Sequence, residues 1–227
     1  MAKIDLSNIS HSYNPNDDKP IYALNPFSMT WENGKRYAIL GPSGCGKTTM
    51  LNIVSGLVKP TKGEILFDEK NVTNLQTESR NISQVFQFPV IYNTMTVYDN
   101  LAFPLRCRGF SNEKIEERVK SVSDTLNLSS FLNSPARKLT ADQKQLISLG
   151  RGLVREDVAA VLMDEPLTVI DPDLKFRLRR NLKEINEQYK TTLVYVTHDQ
   201  NEAMTFADNI IVMDQGEIVQ VGLPKDL

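Results

Sequence analysis

The chain has 227 residues, 41% of them hydrophobic, and its 26 Lys and Arg residues against 28 Asp and Glu give a formal charge of −2. This composition suits a globular domain with a real core, and the near-neutral charge argues against a polyanion-binding surface as the main function. The two cysteines, Cys45 and Cys107, lack metal-ligand spacing, and no signal peptide is apparent, so we expect a cytosolic protein. Apolar runs such as 158–163 are far shorter than the about 20 residues that a membrane span needs.

The amino-terminal part of the chain is predicted to be rich in strands. Ile4, Leu6 and Ile9 lie in a short alternating pattern, and the apolar runs 37–40 and 65–67 are bounded by Gly, Asp and Pro. Compact runs of this kind are typical of strands that are buried on both faces. We therefore expect buried strands at both runs.

The middle of the chain has a helical pattern. Ile115, Val119, Val122 and Leu126 recur at spacings of four, three and four, which places them on one face of a helix. Ser111 precedes this face and is the predicted N-cap.

Strands and helices alternate in the last third of the chain. The runs 158–163, 193–196 and 210–213 predict strands, and the spacing of apolar residues over 174–185 predicts a helix. Strand–helix alternation on both sides of a helical insert predicts an α/β fold, with a parallel-sheet core that an α-helical lobe interrupts.

Residues 41–48 fit the G-x-x-x-x-G-K-[ST] pattern of a phosphate-binding loop, and a predicted strand leads into the loop while a helical pattern leaves it. The glycines let several backbone N–H groups point at one phosphate, and the helix N-terminus adds its positive end. Lys47 is expected to reach the terminal phosphates, and Thr48 to offer its hydroxyl to Mg²⁺. A glycine-rich turn with a surface lysine is the alternative, but strand, loop and helix together disfavour it. The residues predicted here to bind a nucleoside triphosphate are Gly41, Pro42, Ser43, Gly44, Cys45, Gly46, Lys47, Thr48 and Thr49.

Two acidic residues follow the predicted strand 158–163. Asp164 ends this strand, so its carboxylate is expected at the carboxyl edge of the sheet, where ligands of open α/β sheets bind. Its natural role is to hold Mg²⁺, and Glu165 can polarise the water that attacks the γ-phosphate. A solvated, idle acidic pair is the alternative, which the phosphate loop disfavours.

The order of these motifs resembles the ATP-binding cassette (ABC) ATPases: a phosphate loop, a Gln after a strand, a helical lobe, an Asp–Glu pair and a His after the next strand. The resemblance runs from Tyr13 to the end of the chain. It implies an α/β, P-loop NTPase (RecA-like) fold with an amino-terminal antiparallel β subdomain, and ATP hydrolysis with Mg²⁺. The ATP-binding core lobe is predicted over 1–90 and 156–227, and the α-helical signature lobe over 91–155.

The resemblance also implies roles for single residues. Tyr13 matches the aromatic residue that stacks on adenine, with Tyr22 as a competitor, and Gln87 matches the glutamine that contacts Mg²⁺ or water and moves with the helical lobe. Asp171, in a segment that looks like the D-loop (168–171), matches a residue at the dimer seam, and His198 matches the histidine that contacts the γ-phosphate. The implied metal ligands are Thr48, Gln87 and Asp164, and the implied catalytic residues are Lys47, Gln87, Glu165 and His198.

The sequence departs from the family at the signature Leu-Ser-Gly-Gly-Gln, which here reads Leu139, Thr140, Ala141, Asp142, Gln143. In the family this loop begins a helix and faces the γ-phosphate of ATP held by the opposite subunit, so residues 140–143 are predicted to contact nucleotide. Thr140 keeps a hydroxyl, whereas Ala141 adds a methyl group where glycine permits close approach. Asp142 places a carboxylate where the family has glycine, and its repulsion from phosphate grows as water is excluded.

Two explanations of this departure remain open. The site formed by the loop is slow or silent, and the chain pairs with a different ATPase subunit; or Asp142 points away from phosphate, and the chain forms a working homodimer. The intact phosphate loop and acidic pair could serve a competent site if a partner brings a normal signature, so the heterodimer is the favoured hypothesis.

The segments 85–105 and 202–222 are similar to ATPase subunits of importers for sugars, polyols and glycerol- or sugar-phosphate. The implied partners are transmembrane permease subunits gripped near 91–105, a second ATPase subunit and, indirectly, an extracytoplasmic solute-binding protein, but no nucleic acid. We expect a peripheral protein on the cytoplasmic face of the inner membrane, soluble when isolated. The sequence stops about where the family's linker to a regulatory barrel begins, so no such C-terminal domain is expected in it, and both a bare motor domain and a shortened chain remain open.

Two rival functions belong to other classes. A soluble cassette ATPase acting on nucleic acid or ribosomes usually carries a coiled-coil insert or two fused cassettes, which this sequence lacks. A non-catalytic cassette that binds ATP to brace or regulate a partner is favoured by the altered signature, while the intact Glu165 and His198 argue against it.

Overall fold

The computed structural model describes residues 2–168 and 170–227. Met1 and Val169, the latter part of the predicted D-loop, lie outside the described residues. The strands are β1 (Ile4–Ser12), β2 (Tyr22–Trp31), β3 (Arg36–Leu40), β4 (Lys62–Phe67), β5 (Lys70–Asn71), β6 (Ile82–Val85), β7 (Ala160–Asp164), β8 (Leu193–Thr197), β9 (Asn209–Asp214) and β10 (Glu217–Gly222). The helices are α1 (Lys47–Ser55), α2 (Thr77–Arg80), α3 (Val97–Arg106), α4 (Asn112–Thr125), α5 (Ala141–Leu153), α6 (Pro172–Tyr189) and α7 (Gln200–Phe206). This arrangement confirms the predicted α/β class.

A six-stranded sheet forms the centre of the fold, in the order β10-β9-β3-β8-β7-β6. Its strands pair in parallel except at the edge, where β10 is antiparallel to β9. Leu40 lies opposite Thr197, and Asp164 lies opposite Val196. Because the carboxyl ends of parallel strands share one edge of the sheet, the segments that follow β3, β7 and β8 begin side by side.

A second sheet is antiparallel, four-stranded, and ordered β2-β1-β4-β5. The prediction of a strand buried on both faces is wrong for β4, since Ile65 is buried while its neighbours Glu64 and Leu66 are exposed and partly exposed. An antiparallel sheet that packs only one face against a core buries alternate residues. The prediction holds for β3, where Tyr37, Ala38 and Ile39 are all buried.

Helix α1 is fixed at its carboxyl end by a buried arginine from α2. The Arg80 guanidinium donates to the carbonyls of Ile53 (2.7 Å) and Val54 (3.0 Å), and also to those of Thr73 and Leu75. Carbonyls in the last turn of a helix lack partners within the helix, and a cation there also complements the helix dipole. The helix that carries the phosphate loop is thereby anchored at the end remote from that loop.

Helices α3, α4 and α5 follow one another between β6 and β7 and share an apolar core with β7 and α6. The predicted helical face is buried at Ile115, Val119, Val122 and Leu126, and the Ser111 hydroxyl accepts a hydrogen bond from the Lys114 N–H, as an N-cap does. The division into a core lobe and a helical lobe at residues 91 and 155 stays a prediction. Over residues 2–168 and 170–227, no helix reaches the length and apolarity that crossing a membrane demands.

Candidate nucleotide-binding site

The phosphate loop connects β3 directly to α1. Gly44 and Gly46 have φ values of 82° and 103°, which residues with a side chain rarely adopt. A Cβ atom at Gly46 would also lie 2.6 Å from the carbonyl oxygen of Ala23 on β2. Glycine is therefore required here for two reasons: the loop must curl at the start of α1, and β2 packs against it.

The Lys47 ammonium is held inside this loop. Nζ donates to the carbonyl oxygens of Gly41 and Pro42, both at 2.7 Å, and the residue is only 5% exposed. These contacts fix a positive charge at the floor of the loop, where phosphate oxygens are expected.

Thr48, in the first turn of α1, and Asp164, at the end of β7, lie next to each other. The Thr48 hydroxyl donates to Asp164 Oδ2 over 2.9 Å. Burial is the largest influence on Asp164 and raises the pKa of its carboxyl group, the nearby charge of Glu165 acts in the same direction, and the Thr48 hydrogen bond opposes both. A buried carboxylate beside a hydroxyl suits a hard divalent cation. Among the described residues, no group of three or more His, Cys, Asp or Glu is placed to hold a metal ion.

Glu165 and His198 form the next pair. His198 Nδ1 lies 3.2 Å from Glu165 Oε2, and the Thr168 hydroxyl donates to the same carboxylate oxygen over 3.3 Å. Glu165 has a left-handed backbone with a φ of 43°, and its N–H donates to the Val196 carbonyl. This conformation is unfavourable for a residue with a side chain, and such strain concentrates at functional sites. Thr168 was predicted only as part of the D-loop segment and not as a contact of Glu165, although a hydroxyl three residues after Glu165 in a turn is a recognisable signal.

His198 is positioned by a turn between β8 and α7. The Thr197 hydroxyl donates to Glu202 Oε2 over 2.8 Å and accepts from the Asp199 N–H. Asp199 in turn caps α7 by accepting from the N–H groups of Asn201 and Glu202. Hydrogen bonds on both neighbours of His198 therefore set where its imidazole lies.

Several of these groups open into one cavity of about 560 Å³, a volume suited to a nucleotide, and the Asp164 carboxylate is not among the groups that line it. The cavity is lined by Tyr13, Ala23, Ser43, Gly44, Gly46, Lys47, Thr48, Thr49, Gln87, Glu165, Thr168 and His198. It thus brings together predicted residues from five separate segments of the sequence: Tyr13, 43–49, Gln87, Glu165 and His198. Ala23 was also missed, because a small residue on β2 carries no signal of its own.

Tyr13 lies at the rim of the cavity and is 66% exposed. Its hydroxyl is 3.1 Å from Thr49 Oγ1, and the His11 ring meets its ring edge-to-face at 4.6 Å. Tyr22, the competitor, does not line the cavity among the described residues. An exposed, oriented aromatic face suits a base, so the role of Tyr13 in stacking on adenine stays a prediction with geometry in its favour.

The residues at the predicted signature and dimer seam lie elsewhere in this single chain. Thr140 is the N-cap of α5: its hydroxyl accepts from the Gln143 N–H over 3.4 Å, and Gln143 Oε1 accepts from the Thr140 N–H over 3.0 Å. Asp142 is partly exposed in the first turn of α5, and Asp171 is the exposed N-cap of α6. Of the described residues that line the cavity, none belongs to 140–143 or to Asp171. Their contact with nucleotide, which in the prediction is held by an opposite subunit, stays a prediction.

Asp164→Asn is expected to raise the thermal unfolding midpoint of the nucleotide-free chain at pH 7. The folded-state pKa of Asp164 lies above its unfolded-state value, so folding favours the protonated form and the ionised carboxylate costs stability as pH rises. The difference between variant and wild type should shrink toward about pH 4, where the wild-type carboxyl also takes up a proton. Melting curves from pH 4 to 8 measure this, with the exposed Asp226→Asn as control; a variant less stable than wild type at pH 7 contradicts it.

Residues 24–168 match the family described as ABC transporter, which is 145 of 227 residues, and the chain belongs to that family. It is 40% identical over its full length to the sn-glycerol-3-phosphate import ATP-binding protein UgpC of Pectobacterium atrosepticum, covering 62% of that protein. It is 41% identical over 213 residues to the trehalose/maltose import ATP-binding protein MalK of Thermococcus litoralis, covering 57% of it. The chain thus spans about three fifths of the length of these curated relatives.

Solved structures agree with the family and the fold. The ATP-binding cassette MJ0796 in its dimeric, post-hydrolysis state bound to ADP and Pi superposes with a TM-score of 0.86 at 29% identity, covering 97% of this chain and 98% of that one. The cbiO1 protein of Clostridium perfringens, part of the ABC transporter complex cbiONQ, gives a TM-score of 0.86 at 26% identity, covering 98% of this chain and 89% of that one. The predicted family and P-loop NTPase fold are therefore confirmed.

Proposed function

We propose that this chain is the ATP-binding and ATP-hydrolysing subunit of a membrane importer whose solute is a sugar, glycerol-3-phosphate or a related polyol. The observation that carries the proposal is the convergence of Lys47, Thr48, Gln87, Glu165 and His198 on one nucleotide-sized cavity. The solute class and the direction of transport rest on the import functions in the names of UgpC and MalK.

Four of the residues that line the cavity have chemical tasks in this reaction. The Lys47 ammonium binds the terminal phosphates and offsets their charge. Glu165, held by His198 and Thr168, orients the attacking water and accepts its proton. His198 contacts the γ-phosphate and keeps the Glu165 carboxylate in place, and Gln87 holds the water or the metal from the segment after β6.

Thr48, Asp164 and Gln87 are the residues that would hold Mg²⁺. The buried Asp164 carboxylate beside the Thr48 hydroxyl fits such an ion, which when bound supplies positive charge against the phosphate oxygens.

Permease subunits are the proposed membrane partners. Several large apolar side chains near Gln87 are exposed: Phe86 at 37%, Phe88 at 73%, Val90 at 52% and Tyr92 at 40%. Contiguous exposed apolar residues mark interaction sites, and this patch adjoins a wall of the cavity. A permease seated on it would sense the nucleotide through Gln87, and ATP-driven closure of two ATPase subunits would drive transport, with hydrolysis reopening the pair.

Affinity purification of this chain from its native membranes tests the assignment. Permease subunits are expected in the complex, together with a second ATPase subunit that carries a normal signature. A complex with two copies of this chain and no second ATPase subunit refutes the heterodimer but leaves the transporter assignment. Recovery with ribosomes or nucleic acid, and without a permease, contradicts the transporter assignment itself.

Asp142→Gly is expected to raise the turnover of ATP in that complex by about tenfold or more, because it removes a carboxylate at the loop that completes the partner's site. Asp142 contributes little to the stability of the fold. Its carboxylate lies in the first turn of α5, where a negative charge stabilises the helix by about 0.3–1 kcal/mol. Phosphate release by the purified complex measures the effect.

Asp173→Asn is the matched control for a further variant, Asp142→Asn. Asp173 occupies the same position in the first turn of α6 that Asp142 occupies in α5. Loss of charge should increase turnover at Asp142 and not at Asp173. Unchanged turnover in both Asp142 variants means that this side chain points away from phosphate.

The second candidate function, which Asp142 favours, is a cassette that binds ATP only to brace its partner. In that case Glu165→Gln is expected to leave the turnover of the complex unchanged.

A further inference from the structure

Gln145 is a fully buried polar side chain in the second turn of α5, outside the cavity. Its amide nitrogen Nε2 donates two hydrogen bonds, to the carbonyl oxygen of Phe86 over 3.2 Å and to that of Pro166 over 2.9 Å. Both partners are backbone acceptors, so only the NH₂ end of the amide fits between them. The orientation of the side chain is therefore fixed.

These two carbonyls belong to the segments that follow the neighbouring parallel strands β6 and β7, and both segments contribute a side chain, Gln87 and Glu165, to the lining of the cavity. The Phe86 carbonyl is part of the peptide unit that leads into Gln87, and Pro166 directly follows Glu165. The segments are 78 positions apart along the chain, since 165 − 87 = 78. One side chain thus joins the two backbone segments that carry the Gln87 amide and the Glu165 carboxylate.

Helix α5 also binds the segment 86–90 at its carboxyl end. The Ser148 hydroxyl accepts from the Val90 N–H over 3.2 Å, and Arg151 donates to the Val90 carbonyl. Residues 86–90 are therefore tied to α5 at both ends, while Gln145 is the described side chain on α5 that also reaches the turn after β7. Gln145 therefore connects α5 directly to both segments.

We propose that Gln145 is a positioning residue for ATP hydrolysis, which sets the separation of Gln87 and Glu165 by clamping the backbone of both. The inference rests on the proposed function, in which those two side chains act on water and phosphate. Gln145 touches neither the cavity nor, by this proposal, the nucleotide. It acts on the rate of the chemical step through geometry, since small displacements of reacting groups cost much of the rate.

Gln145→Met tests the proposal, because methionine keeps the volume and removes both donors. In the complex purified from membranes, kcat for ATP is expected to fall by about tenfold or more while the affinity for ATP stays within about threefold. Hydrogen exchange on the isolated chain should become faster at the amides of Val90, Glu165 and Thr168, whether or not that chain hydrolyses ATP. Gln145→Asn, which keeps the amide but is too short to reach both carbonyls, should show the same changes to a smaller degree.

Asn186→Leu is the matched control. Asn186 is also a buried amide that donates to two carbonyls, Gly34 O at 3.0 Å and Thr191 O at 2.6 Å, but these lie before β3 and β8, at the opposite edge of the sheet from the cavity. Its replacement should speed exchange near residues 34 and 191 and leave kcat per folded molecule unchanged.

Three results overturn the inference: wild-type kcat in both Gln145 variants, equal loss of kcat in the Gln145 and Asn186 variants, or unchanged exchange at 86–90 and 165–168 in both Gln145 variants. The proposed function fails differently. If Glu165→Gln retains full turnover, the catalytic assignment is wrong, whatever the Gln145 variants do. If Glu165→Gln abolishes turnover and both Gln145 variants keep the wild-type kcat, only the positioning role is wrong.

Discussion

Glu165→Gln is expected to lower the turnover number for ATP by about 10²- to 10⁴-fold, while the affinity for ATP stays within about threefold. The glutamine amide keeps the volume of the carboxylate and can still accept from Thr168, so the cavity should keep its shape. It cannot take a proton from water at neutral pH, and this is the property the reaction needs. The size of the expected loss reflects a group that acts in the chemical step and not in binding.

Phosphate release and equilibrium binding of radiolabelled ATP, measured on the same preparations, separate these two effects. Glu184→Gln is the matched control, because its side chain is 59% exposed and pairs only with Arg180 on the surface of α6 among the described residues. Turnover at the wild-type rate in Glu165→Gln would remove this residue from the mechanism. A parallel loss of ATP affinity would instead indicate that Glu165 shapes the pocket.

Lys47→Met is expected to weaken ATP binding by about 10- to 100-fold, since it removes a charge-assisted bond to phosphate worth about 1.5–3 kcal/mol. A second effect adds to the first: the Lys47 ammonium also bonds the carbonyls of Gly41 and Pro42, so its loss relaxes the loop that presents its backbone N–H groups to phosphate. ADP binding should weaken less than ATP binding, because the ammonium is expected at the terminal phosphates.

Titration with a fluorescent ATP analogue and with ADP measures both affinities, and thermal unfolding of the same samples reports on the fold. Lys62→Met, an exposed lysine at the start of β4, controls for the loss of one positive charge. Wild-type ATP affinity in Lys47→Met would show that the terminal phosphates do not reach this loop. Equal weakening in the Lys62 variant would assign the effect to net charge.

Much of the candidate site could be predicted from the sequence because its residues lie in short continuous segments whose conformation depends on near neighbours along the chain. The phosphate loop is one continuous segment, and its glycines, its lysine and the helix that follows determine its conformation over a few residues. Asp164 and Glu165 come at the end of a strongly apolar run, so their position at a strand end can also be predicted from the sequence. The predicted cap of α4, Ser111, likewise acts within three residues along the chain.

The predictions that failed or fell short depended on partners distant in sequence. Residues 65–67 look the same whether one or both faces are covered, and only the neighbours of β4 in the antiparallel sheet decide that one face is exposed. Gln145 reads as an ordinary polar residue on a helix, and its significance comes from carbonyls 59 and 21 residues away. The signature residues match a motif, yet a single chain leaves them outside its own cavity.

By itself, the sequence determined which chemical groups this protein has and where short-range geometry presents them: the curled loop at Lys47, the acids after β7 and the histidine after β8. The tertiary structure alone decided which of these groups meet. The parallel register that sets Leu40 beside Thr197 and Asp164 beside Val196 brings Thr48 to Asp164 and His198 to Glu165. The physical reason is that pairing between strands is cooperative over the whole sheet, so a contact between distant residues depends on the packing of segments that neither residue's local sequence describes.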